Sequence, residues 1–147
     1  MSKTLRLWLG ALVLCSAIAF AQQQPQWTVI SSQKIVNRST PIAPVTLFTP
    51  QSGVGLYRVS AYMSETGAPN SEWSLKFSWT DQTGSSIGAE VSVLNHNEIT
   101  AFGVLNPLVF SPKAGLPVTY EVDSVSGSEI PYTLMFTIEQ LKLPGTK

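Results

Sequence analysis

Hydrophobic and polar residues alternate along most of the chain, most clearly in the segment EWSLKFSWT. The apolar residues Trp73, Leu75, Phe77 and Trp79 alternate there with the polar residues Ser74, Lys76, Ser78 and Thr80. Successive side chains of a strand point to opposite faces, so a period of two is typical of a strand with one buried face. The pattern predicts a strand over residues 72–80 with its aromatic face in a core.

Other segments show the same alternation, or are short apolar runs bounded by Gly and Pro. We predict strands at 27–36, 45–49, 56–64, 86–94, 99–104, 108–110, 118–123 and 132–139, a turn at 105–107, and a bulge or break at Ser31-Ser32. Residues 81–84 form a predicted hairpin turn before the strand at 86–94. The predicted inward residues are Trp27, Val29 and Ile35; Tyr57, Val59, Ala61 and Met63; Ile87, Ala89, Val91 and Val93; Val118, Tyr120 and Val122; and Tyr132, Leu134, Phe136 and Ile138.

About eight short strands with frequent turn signals, and no segment with a helical period, predict an all-β fold. The expected architecture is an antiparallel β-sandwich resembling a jelly roll. The chain has 147 residues, which favours one such domain. Only 12% of its residues are charged and its formal net charge is +0. No basic run is present, so a nucleic acid is not an expected partner.

The N-terminus has the features of a secretory signal peptide. Lys3 and Arg6 precede an apolar stretch, and an Ala-x-Ala site ends at Ala21. The apolar run is short for a membrane span, which needs about 20 residues, so no span is expected in the mature chain. We predict a signal peptide at 1–21, a leader at 22–26, the sandwich domain at 27–143 and a tail at 144–147. The mature chain is then secreted or periplasmic; the alternative is a lipoprotein anchored at Cys15.

The sequence offers little catalytic or metal-binding chemistry. His96 is the single histidine, and Cys15, the single cysteine, lies within the predicted signal peptide. One histidine is a weak ligand set for a metal, and a serine nucleophile would have no other histidine as its base. The carboxylates are scattered over predicted turns and polar faces. We therefore expect a non-catalytic protein with no cofactor and no metal.

Several apolar residues lie at positions that the alternation assigns to polar faces or to the ends of the chain. Tyr62, Leu56 and Met135 fall on the outward sides of their strands, as does Leu94, and Trp27 lies near the mature N-terminus. Collected into one patch, such residues would form an interface; exposed aromatic residues could instead stack on sugar rings. Two classes of function remain open, an assembly or protein-interaction module and a monomeric carbohydrate- or ligand-binding sandwich.

The segment FTPQSGVGLYRVSAYM resembles part of the C1q/tumour-necrosis-factor-like jelly rolls. Phe48, a proline turn and Gly55-Leu56-Tyr57 lead there into a core strand, and YTLMFTIEQL lies where that family has its last core strand. The resemblance covers about a quarter of the chain. The family's Phe-Ser-Gly-aromatic motif is replaced by Ile130-Pro131-Tyr132-Thr133. The resemblance implies a jelly roll of the ten-strand type that forms homotrimers and binds partners on its outer surface.

Overall fold

The computed structural model describes residues 24–51, 55–66, 71–95, 100–126 and 130–143, with the Asn95 side chain excepted. These residues form eight strands and no helix, so no helix among them could span a membrane. The strands are β1 (Gln26–Arg38), β2 (Ile42–Phe48), β3 (Tyr57–Thr66), β4 (Ser71–Thr80), β5 (Ser86–Asn95), β6 (Thr100–Phe110), β7 (Val118–Ser126) and β8 (Tyr132–Lys142). The chain divides into two units. Trp27–Leu141 holds the sandwich, and Met1–Gln26 with Lys142–Lys147 forms the other, of which residues 24–26 and 142–143 are described.

The strands form two four-stranded sheets with the orders β1-β8-β3-β6 and β2-β7-β4-β5. The pairings β3–β6, β2–β7, β4–β5, β3–β8 and β4–β7 are antiparallel. Strand β1 lies beside β8 at the edge of the first sheet. The first strand lies beside the last, the second beside the seventh, the third beside the sixth and the fourth beside the fifth. The chain therefore has the connectivity of one long hairpin whose paired strands are divided between two layers. That order is typical of an eight-stranded jelly roll. The predicted fold class is confirmed.

The core lies between the two sheets, and the alternating residues of β3, β4, β7 and β8 fill it as predicted. Trp73, Leu75 and Phe77 of β4 are at most 1% exposed. The Phe77 ring meets Phe136 of the opposite sheet edge-on, with centroids 5.2 Å apart. Trp73 packs on Tyr132 at 4.6 Å. Burial of each such side chain stabilises the fold by about 1.5–3 kcal/mol, and each aromatic pair adds roughly 0.5–1.5 kcal/mol.

The predicted hairpin between β4 and β5 is also confirmed. Its strands pair without a shift from Ser71–Asn95 to Thr80–Ser86. Gly84 takes a φ of 93° in the turn, and an Asp81 carboxylate oxygen accepts hydrogen bonds from the backbone N–H groups of Thr83 and Ser85, each at 2.9 Å. The prediction for Ile87 is wrong, because this residue lies beside the turn on an edge strand and is 38% exposed.

The prediction that Trp27 and Val29 of β1 face inward is also wrong, since Val29 is 56% exposed and Trp27 lies half-buried on the outer face. Trp27 lies over Arg58, which is on the outer face of β3, whereas Ile35 packs against the core. Residues 27 and 35 would share a face in a regular strand, so the alternation changes phase between them. The predicted bulge at Ser31-Ser32 falls within that interval, and Val29 follows Trp27 outward.

The predicted turn at residues 105–107 is wrong, because β6 runs through it as one strand. Val59 of β3 lies opposite Leu108, and Ala61 lies opposite Leu105. Two residues of β6, Asn106 and Pro107, therefore face the single residue Ser60 of β3, which is the geometry of a β-bulge. Proline has no N–H to donate, and an edge strand with a bulge is where a sheet accommodates it. The residues at 105–107 that suggested a turn in the sequence therefore form a bulge within β6.

Candidate interaction surface

A cluster of four exposed apolar side chains lies on the outward face of the β1-β8-β3-β6 sheet, on three neighbouring strands. They are Tyr62 of β3, Phe102 and Val104 of β6, and Met135 of β8, and we call them the outer patch. The register places Tyr62 directly opposite Met135 on one side and Val104 on the other. Adjacent strands lie about 4.8 Å apart, so these three side chains form a continuous row across the sheet.

The two aromatic residues of the outer patch are stacked on each other. The rings of Tyr62 and Phe102 have centroids 6.3 Å apart and planes inclined by 22°. Phe102 is nevertheless 68% exposed and Tyr62 40% exposed. A cluster of large apolar side chains left in water is typical of a surface that binds another molecule, whereas single exposed apolar residues are ordinary.

Hydroxyl side chains border the outer patch along the strands. The pair formed by Tyr62 and Met135 is flanked on one side by Ser60 and Thr137, and on the other by Ser64 and Thr133. All of these side chains are uncharged. An apolar centre with a polar border is the usual anatomy of a protein interface.

A charged cluster lies farther along the same face. The Arg58 guanidinium donates two hydrogen bonds to the Glu139 carboxylate, from Nε to Oε2 and from Nη2 to Oε1, the latter at 2.9 Å. These bonds lower the pKa of Glu139 and raise that of Arg58. The Arg58 guanidinium carbon also lies 4.7 Å from the ring centre of Trp27, a cation–π contact. The charges of this cluster are therefore satisfied within it.

An open groove of about 480 Å³ adjoins the outer patch. The β6 bulge contributes Asn106 and Pro107 to it, and Tyr62 and Met135 border it from β3 and β8. Lys34 of β1 brings a positive charge to its lining. Its volume falls within the range of small-ligand sites, which combine apolar walls with a few polar groups.

The fold brings together two of the residues singled out from the sequence and separates the others. Tyr62 and Met135 are direct neighbours across the β3–β8 pair. Leu56 is exposed but lies six residues before Tyr62, roughly 20 Å away along the strand direction. Trp27 is half-buried over Arg58, and Leu94 belongs to the other sheet.

Phe102 and Val104 belong to the outer patch although the sequence analysis did not single them out. Both faces of this part of β6 are apolar or small, so alternation alone does not say which face is outward. Gly103 carries the missing signal. A Cβ on Gly103 would lie 2.7 Å from the Ser92 carbonyl oxygen of β5, so the face of β6 that carries Gly103 lies against the other sheet. Phe102 and Val104, on the opposite face of β6, therefore point outward.

The described residues contain no group of three or more His, Cys, Asp or Glu side chains placed to hold a metal ion. His96 and the predicted signal peptide at 1–21 lie outside the described residues. Comparison with known proteins gives no family for this chain, because no family model matches it and no curated protein shows significant similarity.

Proposed function

We propose that the protein is an exported, non-catalytic interaction module that assembles with copies of itself through the outer patch. The observation that carries the proposal is the continuous row of Met135, Tyr62 and Val104, with Phe102 stacked beside it. Aromatic residues and methionine are enriched at interface centres, and a buried tyrosine is a common anchor. Tyr62 occupies the central strand of the row and is the expected anchor.

A second copy of the same chain suits this surface because the patch and its hydroxyl border carry no charge, and Lys34, the charged residue of the adjoining groove, lies on β1. Two identical charged patches would repel each other, whereas two uncharged apolar patches can meet without that cost. The nearest charges on this face of β3 and β8, those of Arg58 and Glu139, already neutralise each other. Exposure of the patch in a lone chain would leave apolar area in water that assembly removes.

We propose a trimer as the assembled state. The resemblance to the C1q/tumour-necrosis-factor-like jelly rolls supports three subunits, and the jelly-roll strand order is compatible with that resemblance. A closed ring with threefold symmetry would bring the three outer patches together near the axis. Export is proposed from the charged, apolar and Ala-x-Ala segments that end at Ala21.

The absence of catalysis in this proposal rests on the sequence. A mature chain that begins at Gln22 has His96 as its one histidine and has no cysteine. General bases and nucleophiles are most often drawn from these residue types and act in positioned groups. Hydrolase activity that is lost in a His96→Ala variant would contradict this part.

The assembly proposal is tested by a charge placed at the centre of the patch. The change is Tyr62→Glu in the mature chain, and the control is Val45→Glu, an exposed valine of β2 in the other sheet. Burial of an unpaired carboxylate in an interface is strongly unfavourable. We expect light scattering to give a monomer for Tyr62→Glu and the assembled mass for Val45→Glu.

Thermal unfolding provides the second readout of the same pair. Because assembly stabilises the folded chain, the melting temperature of Tyr62→Glu should be lower than that of the wild type. It should also no longer depend on protein concentration. Equal masses for the two variants, or dissociation by Val45→Glu alone, would contradict assembly through the outer patch.

The groove beside the patch favours a second candidate, a monomeric sandwich that binds a carbohydrate or another small ligand. Tyr62 at its border could stack on a sugar ring, and Asn106 could contribute hydrogen bonds from the bulge. A glycan array tests this candidate with the wild-type chain and a Tyr62→Ala, Trp27→Ala double variant. Full retention of glycan binding by the double variant would contradict this ligand-binding candidate.

A further inference from the structure

The groove beside the outer patch crosses all four strands of the β1-β8-β3-β6 sheet. Its lining comprises residues 32–34 of β1, 135–137 of β8, 60–62 of β3 and 104–107 of β6. The two edge strands of a four-stranded sheet are three strand spacings apart, or about 14 Å. This length and the volume of about 480 Å³ suit a short, extended ligand that lies across the strands.

Short hydroxyl side chains form the floor of the groove, and longer apolar side chains form one wall. Ser60 lies directly opposite Thr137, and both side chains are half-buried. The next outward pair along the same two strands, Tyr62 and Met135, lies about 7 Å away. Because the first pair is short and the second is long, a trough remains between the strands' outer side chains, and the Tyr62 ring borders it.

The polar side chains of the groove are available to a ligand. Within the part of the chain that the structure describes, no hydrogen bond engages the side chains of Ser60, Thr137 or Asn106. Hydroxyl and amide groups both donate and accept, so a ligand with several hydroxyl groups could exchange hydrogen bonds with all three. The groove is open to water, and a hydroxylated ligand tolerates that exposure better than an alkyl chain does.

Lys34 is the one charged side chain among the described residues that line the groove. Its neighbour Ile35 packs against the core, so Lys34 points to the outer side of β1. The ion pairs found among the described residues involve Arg58 and Lys76, and Lys34 belongs to neither. An unpaired ammonium group at one end of the groove attracts an anionic group of a ligand, and none of these lining residues is acidic.

We propose that the groove binds an acidic saccharide of more than one ring, with one ring stacked on Tyr62 and a carboxylate of a neighbouring ring paired with Lys34. Strands β1 and β3 are separated by β8, so the two contacts lie about 10 Å apart in the sheet, which is why a single ring does not suffice. The sugar hydroxyls would bind Ser60, Thr137 and Asn106. The inference rests on the ligand-binding candidate of the proposed function and adds to it the charge of the ligand.

Tyr62 belongs both to the groove and to the outer patch, so an acidic saccharide and a second copy of the chain would compete for it. If the chain assembles, saturation with the ligand should shift the mass measured by light scattering toward that of one chain. If the chain is a monomer at every concentration, the groove still binds its ligand. Self-assembly and saccharide binding are therefore contradicted by different results.

Isothermal titration calorimetry of the exported protein tests the inference. The probes are tetrasaccharides of galacturonate, mannuronate and glucuronate, each compared with its methyl ester, which has the same rings without the charge. At least one acid should bind about tenfold more tightly than its ester, because hydrogen bonds to charged groups are stronger than neutral ones. Lys34→Gln should remove that difference. The control Lys113→Gln, which changes an exposed lysine of the β6–β7 connection outside the groove, should retain it.

The wild type provides a further readout, because its preference for the acid should shrink as the salt concentration rises. Equal binding of acid and ester in all three pairs, or a preference that Lys34→Gln leaves unaltered, would overturn recognition of the charge and leave the ligand-binding candidate in place. Failure of every acid and every ester to bind would contradict both. Binding of decanoate without binding of any saccharide would assign the groove to apolar acids and overturn the inference.

Discussion

The replacement Leu75→Ala tests the core on which the sandwich depends. Leu75 is fully buried in β4, with Val91 of β5 and Val122 of β7 as its partners in the two neighbouring strands. The change removes an isopropyl group, equivalent to roughly three buried methylenes at about 0.8 kcal/mol each. The surrounding strands can close only part of the resulting cavity, which adds to the loss. We expect the free energy of unfolding to fall by about 2–5 kcal/mol.

The next residue provides the matched control. Lys76 points to the outer side of the same strand and forms an ion pair with Glu121 at 3.3 Å. Its side chain is about half exposed, and pairs of this kind contribute roughly 0–1 kcal/mol. Lys76→Ala should therefore lower the free energy of unfolding by no more than about 1 kcal/mol.

Urea denaturation of the two variants gives the comparison. With an m value of about 2 kcal/mol per molar urea, within the usual range of about 1–3, Leu75→Ala should lower the midpoint by roughly 1–2.5 M. The midpoint of Lys76→Ala should stay close to that of the wild type. Equal losses for the two variants would refute the assignment of the inner and outer faces of β4.

Two further predictions concern the packing of the sheets and the maturation of the chain. Gly103→Ala should destabilise the protein by about 1–3 kcal/mol in the same assay, because the new Cβ would lie 2.7 Å from the Ser92 carbonyl oxygen; Gly88→Ala, whose Cβ meets its neighbours at 3.5 Å, should be close to neutral. Intact-mass measurement of exported protein should give a chain that begins at Gln22, and retention of residues 1–21 or a lipid on Cys15 would contradict the predicted signal peptide.

Strict alternation allowed the core strands to be predicted from the sequence. It failed where the strand geometry is irregular and, for Ile87, at the end of a regular edge strand. Trp73 and Tyr132 lie in strands with an unbroken period of two, and both are buried as predicted. Val29 and Pro107 lie in the edge strands β1 and β6, where a change of phase and a bulge alter which residues face inward. An extra residue in a strand moves every following side chain to the opposite face of the sheet. Where such a residue lies depends on the pairing with the partner strand.

The candidate surface was predictable only in part for a related reason. The outward positions of Tyr62 and Met135 follow from the local pattern of β3 and β8. Their contact depends on the pairing of two strands that are far apart in the sequence, and a single sequence does not reveal that register. Phe102 belongs to the patch because its neighbour Gly103 faces the other sheet. The orientation of Gly103 depends on its close approach to β5, which the sequence alone does not show.

The mass of the mature wild-type chain in solution tests the central claim most directly. Light scattering over a wide range of concentration should give three times the mass of one chain, with dissociation at the lowest concentrations. The outer patch supplies the apolar area that would hold the subunits together. A mass of one chain that stays constant up to high concentration would contradict self-association and leave the groove beside Tyr62 as the site to investigate.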